Sequence, residues 1–190
     1  MTTSLPQEEI LEFWFGPAPH AERNTWFRKD PAFDAEIRSR FGAVIESALA
    51  GGWLHAGNTP HGSLTLVLLL DQFTRNAFRD TPRAFAGDAR ALATAMAAVD
   101  AGQDRRLDKY ERWFLYMPFE HSEDRAVQER SLALFGALAA ETGEPGNLPW
   151  AEKHAAIVRR FGRFPHRNAI LCRTSTPEEI VFLREPGSRF

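Results

Sequence analysis

The run LTLVLLL, residues 64–70, is the most hydrophobic stretch of the chain and decides its fold class. A segment with almost no polar face is buried on all sides in a globular protein. The run is far shorter than the ~20 apolar residues that a membrane-spanning helix needs. We therefore expect it to form a central helix around which the rest of the chain packs.

Signals for the starts of helices lie on both sides of this run. Proline is favoured at the first helical position, directly after a side chain that caps the first turn. Such pairs occur at Asp30-Pro31, Thr59-Pro60 and Thr176-Pro177. Thr176 and Glu179 also have the spacing of a capping box. Ser4 and Ser122 are weaker candidates for helix starts.

Between these signals the apolar residues recur with helical spacing. The stripes lie within residues 33–49, 110–117, 127–138 and 150–161, and the alanine-rich segment 88–101 predicts a further, tightly packed helix. Gly51, Pro118 and Gly162 are the predicted helix stops. Alternating segments of β-branched residues, typical of strands, are absent. We predict an all-α chain, one domain over residues 1–190, with about seven to nine helices in a bundle or array.

Composition narrows the possible functions. A net charge of −2 over 190 residues argues against a nucleic-acid surface, which needs clustered basic residues. The first residues, MTTSLPQEEILEFWFG, lack the pattern of a signal peptide. A single cysteine, Cys172, fits a reducing compartment. We expect a cytoplasmic protein without a membrane or nucleic-acid partner.

One internal similarity is visible. QFTRNAFRDTP at 72–82 resembles RFPHRNAILCRTSTP at 163–177, since both contain Arg-Asn-Ala and end in Thr-Pro. Paired helices with such similarities suit a helical-repeat arrangement, although two occurrences are also compatible with chance.

Several polar residues stand among strongly apolar neighbours and are therefore candidates for a site. Asp71 follows the leucine run and has Arg75 four residues on, which predicts either an intrahelical salt bridge or a pair held ready for a ligand. His154 lies within an apolar stripe, as a core histidine or as a neutral base or ligand facing a cleft. Glu120 and His121 precede a helix start, so a helix dipole does not explain them.

The segment after Gly162 raises the same question, because Pro165 blocks continuation of the helix. Arg167 is suited to holding a carboxylate or phosphate with two hydrogen bonds, or to binding helix carbonyls. Asn76 and Asn168 are candidates for left-handed helix caps.

The sequence contains no H-x-x-x-H or H-E-x-x-H spacing, so we predict no metal site; one would have to be assembled from separate segments. Cys172 precedes Arg173, which can lower a thiol pKa, but no motif of nucleophilic catalysis accompanies it.

Four longer segments, LLLDQFTRN, RDTPRAFAGDARAL, FLYMPFEHSEDRAVQ and FGRFPHRNAILCRTSTPEEIVFL, together resemble a bacterial family described as domain of unknown function 924. EFWFG and WFRKDPAFD are also similar to it, so the resemblance covers nearly the whole chain. It implies an all-α fold similar to tetratricopeptide-repeat proteins, a cytoplasmic location, and no established activity or cofactor. Its motifs emphasise the residues Asp71, Gln72, Arg75, Asn76, His121, Ser122, Glu123, Gly162, Arg163, Pro165, His166, Arg167 and Asn168. Glu120 and Cys172 depart from its pattern, which often has an apolar residue and glycine there.

Two functions remain open. The first is binding of a small anionic or polar ligand in a cleft. We expect His121 and His154 as candidate catalytic residues, and Asp71, Arg75, Asn76, Arg163, His166, Arg167 and Asn168 as ligand-binding residues. The second is a scaffold that binds a peptide or partner protein, in which these residues only fasten helices together. The sequence identifies no cofactor and leaves open whether a reaction is catalysed.

Overall fold

The computed structural model describes residues 5–189, and these form helices joined by turns, with no strand among them. The α-helices are α1 (Gln7–Phe15), α2 (Pro31–Leu49), α3, α4 (Asp88–Asp100), α5 (Lys109–Glu120), α6 (Arg125–Thr142), α7 (Leu148–Phe161) and α8 (Pro177–Phe182). Helix α3 is continuous through three segments, Pro60–Val67, Leu68–Phe73 and Thr74–Ala77. The prediction of an all-α fold with seven to nine helices is confirmed.

The chain divides into two compact units. Unit 1 contains the chain through Arg79 together with Arg83–Pro118, and unit 2 contains Asp80–Pro82 and the chain from Phe119 onward. Compactness alone does not show that a unit folds independently. The expectation of one domain over residues 1–190 therefore stays a prediction.

Helix α3 is the centre of unit 1, as the leucine run predicts. Leu64 and every residue from Val67 to Leu70 have no exposed surface, and α1, α2 and α4 pack against this helix. The alanines Ala91, Ala95 and Ala98 form the buried face of α4, where their small side chains allow close packing. None of the described helices is long and apolar enough to cross a membrane.

The middle of α3, Leu68–Phe73, is a π-helical segment. A π-helical turn is wider than an α-helical turn, and side chains add hydrogen bonds to its carbonyl groups here. The Thr74 hydroxyl donates to the carbonyl oxygens of Leu70 and Asp71 at 2.9 and 3.1 Å, and Arg75 donates to Asp71 O at 2.8 Å. Gly87, just before α4, lies against Leu70, where a Cβ atom would overlap the Leu70 carbonyl. The widened segment is thus stabilised by side chains of the turn that follows it and by the close approach of Gly87, just before α4.

Unit 2 is organised around the pair α6 and α7, which pack against each other. Ile157 and Val158 of α7 join Phe164 and Phe182 in a buried apolar cluster. His154 lies on the same buried face of α7, as its helical spacing predicts. Trp150 was predicted on this face as well, but half of its surface is exposed, so that part of the predicted stripe is wrong.

The local signals for helix ends are confirmed where a single residue decides them. Asp30, Thr59 and Thr176 cap α2, α3 and α8, and Thr176 forms the capping box with Glu179. Gly162 ends α7 with a φ of 71°, in the left-handed region that glycine adopts at little cost.

Two predicted helix boundaries are wrong. Pro118 does not stop α5, which continues to Glu120 with the proline in its last turn. A proline removes only one backbone donor, and near the end of a helix this loss is small beside the burial of the surrounding residues. Asp124, not Ser122, caps α6; Ser122 accepts from Asp124 N instead. Ser4 lies outside the described residues.

Candidate functional site

The predicted site residues fall into two groups. Asp71, Arg75 and Asn76 belong to unit 1. The candidates of unit 2 are His121, His154, Arg163, His166, Arg167 and Asn168.

In unit 1, Arg75 is held by carboxylates. It contacts Asp71 at 3.0 Å and donates two hydrogen bonds to Asp88, at 2.8 and 3.2 Å. Burial alone would lower the pKa of Arg75, but the charges of Asp71 and Asp88 raise it above its ordinary value. Asp71 has no exposed surface and also accepts from Gln72. The salt bridge that was one of the two interpretations of Asp71 is present, with Asp88 as an additional partner.

Asn76 also has a structural partner. Its amide donates to Asp34 of α2 at 2.7 Å, and Arg79 donates two hydrogen bonds to the same carboxylate. Burial raises the pKa of Asp34, but these three hydrogen bonds have the opposite and larger combined effect. The pKa of Asp34 is therefore below its ordinary value. Asn76 therefore links α3 to α2.

In unit 2, Arg163 and Asn168 converge on Glu179, the capping-box residue of α8. Arg163 donates to both carboxylate oxygens, at 2.6 and 2.8 Å, and Asn168 donates at 3.2 Å. The bond from Arg163 is the main reason that the pKa of Glu179 falls to about 2. Glu179 is 2 % exposed, so Arg163 and Asn168 fasten the start of α8 to the preceding turn.

A second set of side-chain hydrogen bonds lies beside the first. Arg173 donates to both oxygens of Glu123, at 2.6 and 2.9 Å, and to Asn168 Oδ1 at 3.0 Å. Glu123 also accepts from the backbone of Phe164. The turn after Gly162 is thereby fixed on both sides, which places His166 and Arg167.

The expected left-handed caps lie at other residues than Asn76 and Asn168. Asn168 has a φ of −58°, and Asn76 lies within α3. Positive φ occurs four residues after each, at Asp80 with 62° and Cys172 with 54°. The prediction of asparagine caps is therefore wrong. The side-chain amides of both asparagines donate to carboxylates instead.

The remaining candidates of unit 2 form what we call the histidine cluster: Glu120, His121, His154, Phe164, His166 and Arg167. The ring centroids of His121 and His154 are 6.1 Å apart, and His154 and Phe164 are 5.4 Å apart. The Arg167 guanidinium lies over the Phe164 ring, 4.5 Å from its centroid, and the His166 ring lies 5.7 Å from the same ring. The sequence did not indicate Phe164, which connects these groups.

The residues of the cluster differ in burial. Glu120, His154 and Arg167 are at most 6 % exposed. His121 and His166 are half-buried.

Three contacts set the positions of Glu120 and His154. The His154 Nδ1–H donates to the carbonyl of Trp150 at 2.8 Å, and Glu120 Oε1 lies 3.1 Å from the same nitrogen. A carbonyl oxygen only accepts, so Nδ1 carries the proton and the lone pair is on Nε2. Asn147 donates to Glu120 Oε2 at 2.6 Å.

Gln128 fixes the backbone that carries His121. Its side-chain amide donates to the carbonyls of Glu120 at 2.7 Å and Ser122 at 2.6 Å, on either side of His121. Gln128 is fully buried, so this anchor is protected from competition with water.

The pKa values of His154 and His166 are both lowered. Burial, followed by electrostatic interactions with His121 and Arg167, lowers the pKa of His154 to about 3. Burial and the charge of Arg167 also lower the pKa of His166 to about 3. The contact between His154 and Glu120 is therefore a hydrogen bond from a neutral ring and not an ion pair.

Some of these contacts lay beyond sequence reasoning. Glu120 and Asn147 are 27 residues apart, and no local pattern predicts their pairing. Glu120, His121 and His154 each have a ligand atom within 4.8 Å of the other two, although no metal site was predicted. Only two signals were available in the sequence. One was the helical spacing around His154, and the other was the placement of Glu120 and His121 before a helix start.

The described residues form an all-α protein in which three imidazoles and a buried arginine lie in one cluster. The model of the family described as "Bacterial protein of unknown function (DUF924)" matches residues 10–187. The chain belongs to this family.

A solved structure supports the fold. A protein of unknown function from Agrobacterium tumefaciens is 40% identical, with a TM-score of 0.84 over 94% of this chain and 96% of that chain. No similar protein was found among the curated proteins.

Proposed function

We propose that the protein binds a small anionic ligand at the histidine cluster, with Arg167 as the group that attracts the anion. The observation that carries the proposal is the position of Arg167, 6 % exposed, over the Phe164 ring and beside the half-buried His166. A guanidinium held in a site of low dielectric attracts an anion more strongly than one in water. Its planar donors match a carboxylate or phosphate.

The imidazoles would supply the remaining polar contacts. His121 and His166 are half-buried, and an imidazole can form hydrogen bonds with a ligand. If the bound anion is a substrate, His121 and His154 are the candidate general bases.

Arg163 and Asn168 are not part of this proposal, although the sequence predicted them as ligand-binding residues. Their side chains engage Glu179 at the start of α8. Asp71, Arg75 and Asn76 are likewise engaged by structural partners in unit 1. The proposed ligand-binding residues are therefore His121, His154, His166 and Arg167.

The test compares two arginines of unit 2. The melting temperature of the wild-type protein, measured with inorganic phosphate and with acetate, should rise with at least one of these anions. Arg167→Ala should abolish this rise. The matched control Arg163→Ala should lower the melting temperature, since it breaks the bond to Glu179, but keep the rise caused by the anion.

The opposite pattern would contradict the proposal. If Arg167→Ala lowers the melting temperature markedly and the anion effect persists, Arg167 is a structural residue. If neither anion changes the wild-type melting temperature even at high concentration, the cluster does not bind small anions.

The alternative is an interaction scaffold, and we propose it second. Ile180 and Val181 of α8 are 45 and 57 % exposed, which gives this helix an apolar outer side. The pairing of α6 with α7 also supports an arrangement similar to a tetratricopeptide repeat. Single exposed apolar residues are common on ordinary proteins, so this observation is weaker than the position of Arg167.

We also propose that the protein is cytoplasmic. The single cysteine of the sequence, Cys172, is consistent with a reducing compartment. Fractionation of cells that express the tagged protein tests this location.

A further inference from the structure

We propose that His20, Asp108 and Glu111 bind a first-row divalent metal ion of the zinc type. The three residues belong to unit 1, and their role does not depend on anion binding at the histidine cluster of unit 2. One ligand atom from each residue lies within 4.8 Å of the other two. Imidazole nitrogen and carboxylate oxygen are ligands that zinc and neighbouring transition metals accept together.

The two carboxylates are fixed by a helix cap at the start of α5. Asp108 Oδ1 accepts from the backbone of Tyr110 at 2.9 Å and of Glu111 at 3.0 Å. Glu111 Oε2 accepts in return from Asp108 N at 2.9 Å. This is the reciprocal arrangement of a capping box, and it uses one oxygen of each carboxylate.

The other oxygen of each carboxylate faces a histidine. His20 Nδ1 lies 2.6 Å from Asp108 Oδ2, and His61 Nε2 lies 3.1 Å from Glu111 Oε1. The two histidines come from different segments, the loop after α1 and the first turn of α3. The helix cap accounts for the acids, but it does not account for imidazoles directed at the oxygens that the cap leaves over.

The metal position lies between His20 Nδ1 and Asp108 Oδ2. Their hydrogen bond contains one proton, which a metal ion would replace and which would be released to solvent. Ligand atoms of tetrahedral zinc, with bonds of about 2.0–2.1 Å, are about 3.3 Å apart. The pair at 2.6 Å must therefore open by about 0.7 Å, which small rotations about side-chain bonds provide.

The ligands are oriented before a metal binds. The His20 ring stacks on the buried Phe15, with centroids 5.0 Å apart and planes inclined by 26°. Metal-bound carboxylates are generally hydrogen-bonded by neighbouring residues, and His61 occupies this position beside Glu111. A site whose ligands are already oriented loses less conformational entropy when the metal binds.

The charges around the site favour a cation. Asp108 and Glu111 supply two carboxylates, which outweigh the positive end of the α5 dipole, worth about half an elementary charge. Lys109 lies between the two acids in sequence, but its ammonium lies over the Tyr110 ring, 4.9 Å from the centroid. The Asp108 side chain is 44 % exposed, so a metal ion can enter from solvent. Three protein ligands leave coordination positions for water, as in catalytic metal sites.

A second group with metal-ligand atoms within 4.8 Å of one another, Glu120, His121 and His154, provides the contrast. The contact of Glu120 Oε1 is with His154 Nδ1, the nitrogen that donates to the Trp150 carbonyl. A metal between Glu120 and His154 would have to break that second bond as well. Arg167 adds a positive charge near His154. We assign no metal to this second group.

The test is equilibrium dialysis of chelator-treated protein against Zn²⁺, with the bound metal measured by elemental analysis. Wild-type protein should bind one equivalent, and His20→Ala and Asp108→Asn should each weaken this binding at least tenfold. Asp108→Asn keeps an oxygen for the helix cap, since asparagine caps helices as well as aspartate does. The matched control His55→Ala removes an exposed histidine of unit 1 outside the group and should bind like wild type.

The variants separate metal binding from folding and from anion binding. Circular dichroism verifies that Asp108→Asn is folded, so its loss of Zn²⁺ reports the ligand rather than the fold. Arg167→Ala should bind Zn²⁺ like wild type, which distinguishes a failure of the anion site from a failure of the metal site. The proposal is overturned if wild-type protein binds no Zn²⁺ at millimolar concentration, or if folded Asp108→Asn and His20→Ala bind it unchanged.

Discussion

The same three residues, Arg-Asn-Ala, occur in both units, and the surroundings of their arginines differ. Around Arg75 the structure places two carboxylates, Asp71 and Asp88, within 3.0 Å. Around Arg167 it places the face of Phe164 and the imidazoles of the histidine cluster, and the charge of Arg167 also lowers the pKa of Glu123. Both arginines are substantially buried, so their difference lies in chemistry rather than exposure.

The asparagines of the two segments are alike. Asn76 donates to Asp34 and Asn168 donates to Glu179, and each is followed four residues later by a residue with positive φ. This agreement extends the sequence similarity to the backbone, while repeat origin and chance both remain compatible with it. The two segments thus share a local backbone pattern, in which one arginine bridges two carboxylates and the other lies over an aromatic ring beside imidazoles.

The largest expected effect tests whether Arg75 is structural. Arg75→Ala leaves the fully buried Asp71 without its closest cation, and breaking such a pair costs about 3–5 kcal/mol. We expect this loss in the free energy of unfolding, measured with urea at neutral pH. Arg167→Ala, in contrast, should cost about 1–2 kcal/mol from lost packing and its cation–π contact.

A double variant checks the reason for the difference. Asp71→Asn combined with Arg75→Ala removes the stranded charge, so it should recover part of the loss. Equal losses for Arg75→Ala and Arg167→Ala would remove the distinction between the two segments.

The next-largest expected effect is a loss of stability on substitution of Gly87, which lies just before α4, the helix that carries Asp88. Gly87→Ala forces a Cβ atom into the Leu70 carbonyl, so α4 must shift, at a cost of about 2–3 kcal/mol. Gly136→Ala in α6 is the control, because its Cβ meets nothing within 4 Å and alanine favours a helix by about 0.5–1 kcal/mol. Thermal unfolding should show opposite changes in melting temperature. Unchanged stability of Gly87→Ala would mean that the close approach to α3 is not required.

A pH effect is expected from the acid beside Asn168. The folded pKa of Glu179, about 2, lies below its unfolded value, so its contribution is present above about pH 4.5 and is lost as the pH falls toward 2. Allowing for solvent screening, this contribution is about 1–2 kcal/mol. Glu179→Gln should therefore lower stability at pH 6 more than at pH 3, measured by urea unfolding. A constant difference between the two proteins would show that the charge of Glu179 contributes nothing.

The smallest expected effect compares the two positions of positive φ. Cys172, at a φ of 54°, is strained, so Cys172→Gly should stabilise the protein by about 0.5–1 kcal/mol. Asp80→Gly should gain less, because aspartate tolerates this region better. Differential scanning calorimetry of both variants measures the two changes. A loss of stability in Cys172→Gly would mean that the thiol contributes more than the strain costs.

Much of the fold was predictable because local physics decides it. A capping side chain followed by proline set the starts of α2, α3 and α8. The continuation of α5 through Pro118 was not predictable, because it depends on packing around the helix rather than on its own residues. The start of α6 was misplaced by two residues, since Ser122 and Asp124 are both good capping residues.

The site was predictable only in part. Helical spacing places His154 on a buried face, and it does lie there. Arg163 and Asn168 were predicted as ligand-binding residues because sequence shows charge but not its partner, and Glu179 lies 16 and 11 residues away from them. The contacts that orient Glu120 depend on Asn147, which carries no recognisable signal.

The π-helical segment of α3 has a consequence for how this chain tolerates change in length. A π turn accommodates one residue more than an α turn, so deletion of a single leucine from 68–70 would let the segment close into regular α-helix. Because the wide turn absorbs the extra residue, the helix after it would keep about the same angular position, so Arg75 would still face Asp88 and Asn76 would still face Asp34. A one-residue deletion in the most apolar part of the molecule should therefore disturb these polar contacts less than the same deletion in a regular α-helix.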